Sequence, residues 1–124
     1  MSDPSQESGI KHFFEDLATD YANNVAFENT IWDLKLIFGE YSDNDKAVEW
    51  HTSVTIPWAQ AKLMQYYLAV NVDAHELEHG KIRIPNIMIP PEPPAEGQTD
   101  NPATEALHDI IRRHRAKFIQ DLNS

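Results

Sequence analysis

The chain has 124 residues, a net charge of −10 and no cysteine. Its length is that of one small domain, and the lack of cysteine excludes disulfides, thiolate zinc sites and cysteine nucleophiles. The negative charge repels phosphate groups, so nucleic acids and anionic membranes are not expected partners. No apolar run reaches the roughly 18 residues that span a bilayer, and the first residues lack the pattern of a signal peptide. We therefore expect a cytoplasmic protein.

Composition divides the chain into four segments. Residues 1–17 begin with a polar stretch that carries Pro, Ser and Gly, and we expect disorder or a lead-in there. Residues 18–90 have the patterns of a single α+β domain. Residues 91–101 form a Pro-rich linker, and residues 102–124 have the pattern of an amphipathic helix.

Three stretches alternate apolar and polar residues with period two, which is typical of strands with one buried face. They read YANNVAFEN, TIWDLKLIFGEY and AVEWHTSVTIP. Their short links favour an antiparallel meander of three or four strands. The stretch YSDNDK favours a plain turn, because it lacks the glycine and the distal glutamate of a calcium loop. Trp32 and Trp50 fall on the apolar faces of neighbouring strands, so we expect both in the core.

A long helix packed on or beside the sheet is predicted next. It opens at Pro57, because the first turn of a helix tolerates proline, and it runs to Gly80, a residue type that commonly follows a helix. Two apolar stripes run along it at spacings of three and four. The first is Ala61, Met64, Leu68, Val72, His75 and His79, and the second is Leu63, Tyr67, Val70, Ala74 and Leu77. This broad apolar surface must cover the sheet, a partner, or both.

Residues 75–79 read His-Glu-Leu-Glu-His, a spacing that zinc hydrolases use. In that alternative, His75 and His79 bind zinc and Glu76 is the general base. No third ligand follows at the usual spacing, and both histidines lie on the first apolar stripe in the last turn of the helix. We therefore give the histidines a packing role, and we predict no catalytic residue, no metal and no cofactor.

The C-terminal helix carries the candidate interaction residues. They are Leu107, Ile111 and Phe118 on its apolar stripe, and Arg112, Arg113 and Arg115 in its basic stretch. At the end of a flexible tether, such a helix docks on an acidic surface, including the protein's own acidic domain. The pattern favours the alternative, an ordinary packed helix with a solvated basic side.

Several short elements between residues 20 and 86 occur in a recognisable order and spacing. They are Tyr21-Ala22-Asn23, Phe38-Gly39, Ala61-Lys62, Asn71, and Gly80 with Ile82. In this order they resemble a small bacterial family, domain of unknown function 3467. Such proteins tend to carry aromatic residues where His75 and His79 stand, so the resemblance implies a packing position there. It implies no activity, cofactor or catalytic residue.

Three functional hypotheses follow from these patterns. The preferred one is a non-enzymatic protein-binding or adaptor module, because no complete catalytic set is visible. We expect it to be a homodimer that extends the sheet or packs its helices together, since one small sheet with a helix has a thin core. The alternatives are the zinc-dependent hydrolase and, by analogy of fold and charge, an acidic holdase-like chaperone.

Overall fold

The computed structural model describes residues 14 and 17–124. The predicted disorder or lead-in of residues 1–17 therefore lies almost entirely outside the described residues. The chain divides into two compact units, Met1–Val70 and Asn71–Ser124. The first unit contains the sheet, the second contains the C-terminal helix, and the long helix runs from the first into the second.

The sheet has three antiparallel strands in the order β1-β2-β3. β1 spans Asn24–Asn29, β2 spans Asp33–Ser42 and β3 spans Ala47–Pro57. The predicted α+β fold with an antiparallel meander is confirmed. We expected three or four strands, and the described residues form three.

Thr30 closes the turn between β1 and β2. Its N–H donates to the carbonyl of Asp33 at 2.9 Å, and its hydroxyl accepts from the N–H groups of Trp32 and Asp33 at 3.1 Å each. Trp32 therefore lies in the hairpin loop, just before β2, and is 78% exposed. The core position expected for Trp32 is therefore wrong. The apolar alternation placed Trp32 in a strand, whereas the hairpin turn extends past it and β2 begins at Asp33.

The turn between β2 and β3 covers residues 43–46. The N–H of Lys46 donates to the carbonyl of Ser42 at 2.8 Å, and Lys46 itself has a positive φ of 50°. Short Asp and Asn side chains tolerate such tight turns because they form hydrogen bonds with the nearby backbone. The turn predicted at YSDNDK is confirmed.

A shift in register between Phe38 and Gly39 interrupts the pairing of β2 with β3. Phe38 pairs with Thr52, whereas Gly39 pairs with Trp50, so His51 is the extra residue of a β-bulge. Because side chains alternate between the faces of a strand, one extra residue moves the following side chains to the other face. Trp50 thus lies on the opposite face from Thr52.

Gly39 makes this arrangement possible because it has no side chain. It is buried, and a Cβ added to it would lie 2.7 Å from the Trp50 ring and 2.7 Å from the Glu49 carbonyl oxygen. Real Cβ atoms essentially never come within 3.0 Å of another heavy atom in this way. The ring of Trp50 therefore covers β2 at its glycine. The expectation that Trp50 lies in the core, on the apolar face of its strand, is wrong.

The sheet has one uncharged face between the hairpin and the bulge. The residues of this uncharged face are Val25, Phe27, Asn29, Leu34, Leu36, Phe38, Thr52, Val54 and Ile56. The opposite face carries the cross-strand neighbours Glu28 and Lys35, whose charged groups are 3.8 Å apart. This division is the one expected of an antiparallel sheet that packs on one side and meets water on the other.

The long helix, α1, spans Trp58–His79. It ends before Gly80 as predicted, and it begins one residue after Pro57, the predicted opening residue, which is the last residue of β3. Gly80 follows with a φ of 90°, which L side chains rarely adopt, and its N–H donates to the carbonyl of Glu76 at 2.9 Å. The carboxylate of Glu76 accepts the N–H of Ile82 at 2.8 Å. The end of α1 is therefore fixed by its own backbone and by one side chain.

None of the residues of α1 is buried, although the sequence predicted a packed helix. Ala61 and Met64 are half-buried, whereas Leu63, Leu68 and Val70 remain exposed. Only the first turns of α1 therefore cover apolar surface of the first unit, and most of its two apolar stripes stays accessible.

The second helix, α2, spans Pro102–Leu122, which confirms the predicted C-terminal helix. The side chain of Asn101 caps it by accepting the N–H groups of Ala103 and Thr104 at 2.9 and 3.3 Å. A short 3₁₀ turn, Asn86–Met88, interrupts the segment between the helices. Among the described helices, none is both long enough and apolar enough to cross a membrane.

Candidate protein-binding surfaces

Most large apolar side chains in the described residues remain accessible to water. Leu36, 7% exposed, is the one apolar side chain buried among them. Others are exposed by half or more, for example Phe27 at 56% and Leu77 at 87%. Removing apolar surface from water contributes roughly 25 cal/mol per Å², so surface of this kind is expected to meet another apolar surface.

An apolar cleft of about 400 Å³ lies in the first unit, between the uncharged face and the first half of α1. Its apolar lining consists of Phe27, Leu34, Leu36, Trp58, Ala61, Met64 and Leu68. Lys62 and Gln65 add polar groups on the helix side. The composition of this cleft, apolar with a few polar side chains, is that of sites that accept apolar groups.

Trp58 is held at the cleft by the β1–β2 hairpin. Its indole N–H donates to the carbonyl of Thr30 at 2.9 Å. Because Thr30 also closes the hairpin turn, the turn and the start of α1 are fixed together. On the same helix, the flexible thioether of Met64 allows the lining to adapt to the shape of a bound group.

The residues before β1 contact β3 at the bulge. The hydroxyl of Thr52 donates to the carboxylate of Asp20 at 2.9 Å, and the Nε2 atom of His51 lies 3.0 Å from the carbonyl oxygen of Tyr21. The extra residue of the bulge, His51, and its neighbour Thr52 therefore both contact the segment before β1. These partners are about thirty residues apart in the chain, so no local pattern indicated the contact.

Arg112 and Arg115, two of the predicted interaction residues, hold the Pro-rich segment against α2 in the second unit. Arg112 donates to the carbonyl of Pro94 and to the carboxylate of Glu105, both at 2.7 Å. Arg115 donates to the carbonyl of Pro90 at 3.0 Å. Extended Pro-rich backbone has no internal hydrogen bonds, so these guanidinium groups satisfy carbonyls that otherwise need water. The segment predicted as a flexible tether, residues 91–101, is therefore clamped at Pro94 and, directly before its start, at Pro90.

Arg113, the third predicted basic residue, does not contact this segment. It pairs with Asp109 one turn earlier at 3.2 Å and is largely exposed. An exposed pair of this kind contributes about 0.5 kcal/mol or less. Arg113 is therefore accessible to a partner, whereas Arg112 and Arg115 are engaged within the unit.

The predicted apolar stripe of α2 is divided between two environments. Leu107 and Ile111 are exposed, and Phe118 is half-buried. At about 100° per residue, Arg112 and Arg115 lie roughly a quarter turn or more from Leu107. The helix therefore turns its arginine side to the Pro-rich segment and leaves Leu107 and Ile111 accessible.

His75 and His79 lie next to each other at the end of α1, with ring centroids 4.8 Å apart. Both are exposed in a single chain. Glu76, the candidate base of the hydrolase alternative, accepts the N–H of Ile82 instead of approaching the rings. Within the described part of the chain, no group of three His, Cys, Asp or Glu side chains is arranged to hold a metal ion. The hydrolase alternative therefore gains no third ligand from these residues.

Comparisons with protein-family models, with curated proteins and with solved structures find no match for this chain. The resemblance to domain of unknown function 3467 therefore stays a prediction. The apolar cleft and the exposed sides of α1 are therefore the candidate binding surfaces.

Proposed function

We propose that the chain is a non-enzymatic protein-binding module that acts as a homodimer. The observation that carries this proposal is the exposure of large apolar side chains around a sheet in which Leu36 is the one buried apolar side chain among the described residues. A small domain needs more buried surface than this to stay folded. Partner proteins that cover the exposed surface supply it.

The apolar cleft is the surface that receives the partner in this proposal. Its lining accepts apolar side chains, and at long range the chain's net charge of −10 attracts basic segments in spite of the single positive charge of Lys62 at the cleft. The segment that fits best therefore combines apolar and basic side chains. An acidic segment with the same apolar content is repelled.

Methionine methyl groups provide a direct test, because Met64 lines the cleft and Met88 lies outside it. The full chain, labelled with ¹³C at its methionine methyl groups, is titrated with a synthetic peptide of leucine and lysine. We expect a saturable shift of the Met64 signal and an unchanged Met88 signal. A matched peptide of leucine and glutamate should leave both signals in place.

Two variants on the same hairpin provide the matched control. Phe27→Asp places a charge in the cleft, whereas Ile31→Asp places the same charge in the exposed loop. Both change the net charge equally, so a difference between them reports the cleft. Phe27→Asp should lose peptide binding, and Ile31→Asp should retain it.

The titration also separates the remaining alternatives. No saturable shift of Met64 with the basic peptide contradicts the proposal. Equal binding of the basic and the acidic peptide contradicts recognition by charge, and it favours the broad apolar binding of a holdase-like chaperone.

A further inference from the structure

The side of α1 that faces away from the cleft is as apolar as the side that lines it. At about 100° per residue, six residues of the helix share this side. These residues, here named the outer stripe, are Ala59, Leu63, Tyr66, Val70, Ala74 and Leu77. None carries a charge, and the larger ones are exposed, from 47% for Val70 to 87% for Leu77.

A second helix is the kind of surface that fits the outer stripe. Leu63, Val70 and Leu77 are spaced by seven residues, the repeat with which one helix packs along another. The stripe runs from Ala59 to Leu77 over about 27 Å, roughly five helical turns. A helix that is apolar on two opposite sides requires cover on both, and the sheet covers one of them in part.

The charges of α1 indicate what that second helix is. The first half of α1 contains Lys62 and no acidic residue, whereas the second half contains Asp73, Glu76 and Glu78 and no Lys or Arg. Two parallel copies of α1 place their acidic halves side by side. Two antiparallel copies place each acidic half beside a lysine and oppose the two helix dipoles.

We propose that two chains pair through their outer stripes as antiparallel helices, with the twofold axis at the level of Leu68. The inference rests on the homodimer of the proposed function and specifies its surface. In this register Leu63 of one copy lies opposite Ala74 of the second, and Ala59 lies opposite Leu77. Small side chains therefore meet large ones at both ends of the stripe, and Tyr66 meets Val70 in the middle, next to the axis.

The same register brings Lys62 of each copy beside Asp73 of the other. Both residues flank the outer stripe on the same side. A twofold axis perpendicular to the helices places this flank of one helix next to the same flank of the other. Within one chain they are eleven residues apart, about 16 Å along the helix, so they do not pair there. The symmetry forms this ion pair twice.

Exchanging the two charges tests the antiparallel register in the full chain. Lys62→Glu and Asp73→Lys should each raise the dimer dissociation constant about tenfold, because each replaces two attractions with two repulsions. The double variant should return to within about threefold of the unchanged chain. Sedimentation equilibrium measures all four constants. A double variant that is as weak as the product of the single effects overturns the register.

Replacing a stripe residue tests the surface itself. Leu63→Glu should weaken the dimer by about a hundredfold or more, because it puts two charges into the seam. Leu107→Glu on α2 is the matched control, since Leu63 and Leu107 are exposed to 51% and 55%. It should remain dimeric. If Leu63→Glu fails to fold, the exchange of the Lys62 and Asp73 charges still tests the antiparallel dimer.

The outcomes separate this inference from partner binding. A chain that stays at 14.2 kDa at every concentration overturns the dimer, while the Met64 titration still tests the cleft. A dimer that Leu63→Glu leaves intact but Leu107→Glu dissociates assigns the contact to α2 and overturns the outer stripe.

Discussion

Gly39 determines how β3 presents its side chains. Its missing Cβ leaves room for the Trp50 ring and the Glu49 carbonyl, and the register of β2 and β3 shifts at this position. A glycine inside a strand pattern is a known signal for a bulge or a close approach. The sequence of β3 taken alone shows uninterrupted alternation, however, so the change of face at Trp50 depends on a contact between two strands and was not predictable.

Replacing this glycine tests its role. Gly39→Ala should lower the free energy of unfolding by about 2 kcal/mol, because a backbone oxygen and a ring must both move to admit one methyl group. Chemical denaturation measures the loss. Ile37→Val, two residues earlier on β2, is the control and should cost about 1 kcal/mol. An unchanged or raised midpoint for Gly39→Ala contradicts the close packing.

At the scale of elements, local signals predicted the ends of α1, and long-range contacts escaped prediction. Pro57 and Gly80 act on their own neighbours in the chain, and the observed helix fits between them. The clamp on the Pro-rich segment joins residues 18 and 25 positions apart through backbone carbonyls. Every residue has such a carbonyl, so the sequence did not indicate which ones Arg112 and Arg115 would bind.

Local signals likewise predicted one part of the candidate cleft, and a long-range contact that they did not predict forms the rest. The alternation of β2 placed Leu34 and Leu36 on one face, and the first stripe of α1 placed Met64 and Leu68 together. The closing contact, from the indole of Trp58 to the hairpin, spans 28 residues and binds a backbone carbonyl. No sequence pattern indicates this contact, and it is visible only in the structure.

Removing the clamp should free the Pro-rich segment without unfolding α2. Arg112→Ala should make amides of residues 92–100 exchange about tenfold faster, because Pro94 and Glu105 lose a shared donor. Arg112→Lys should behave similarly, since a lysine lacks the planar fork that reaches both groups. Hydrogen exchange read by mass spectrometry measures the rates.

Arg113→Ala provides the comparison for this clamp. Arg113 contacts Asp109 on its own helix and is 67% exposed, so exchange in the Pro-rich segment should stay as in the unchanged chain. Equal acceleration in both variants contradicts a specific clamp by Arg112 and indicates a general loosening of α2.

At the scale of the whole molecule, stability is expected to depend on how much protein is present. A domain that buries little apolar surface in a single chain gains most of its stability on association. A tenfold rise in concentration favours a folded dimer by about 1.4 kcal/mol and should raise Tm by about 3–6 °C. Differential scanning calorimetry at several concentrations measures the shift. A constant Tm contradicts association coupled to folding.

The two apolar sides of α1 point in opposite directions, and this has a consequence for binding strength. A pair joined through the outer stripes keeps both clefts open, so the assembly has two receptors with a fixed separation. A ligand with two suitable segments, tethered at the right length, then binds its second segment at a high effective concentration, which strengthens binding about 10²- to 10⁴-fold without any new contact. Bivalent ligands should therefore be retained far longer than their single segments.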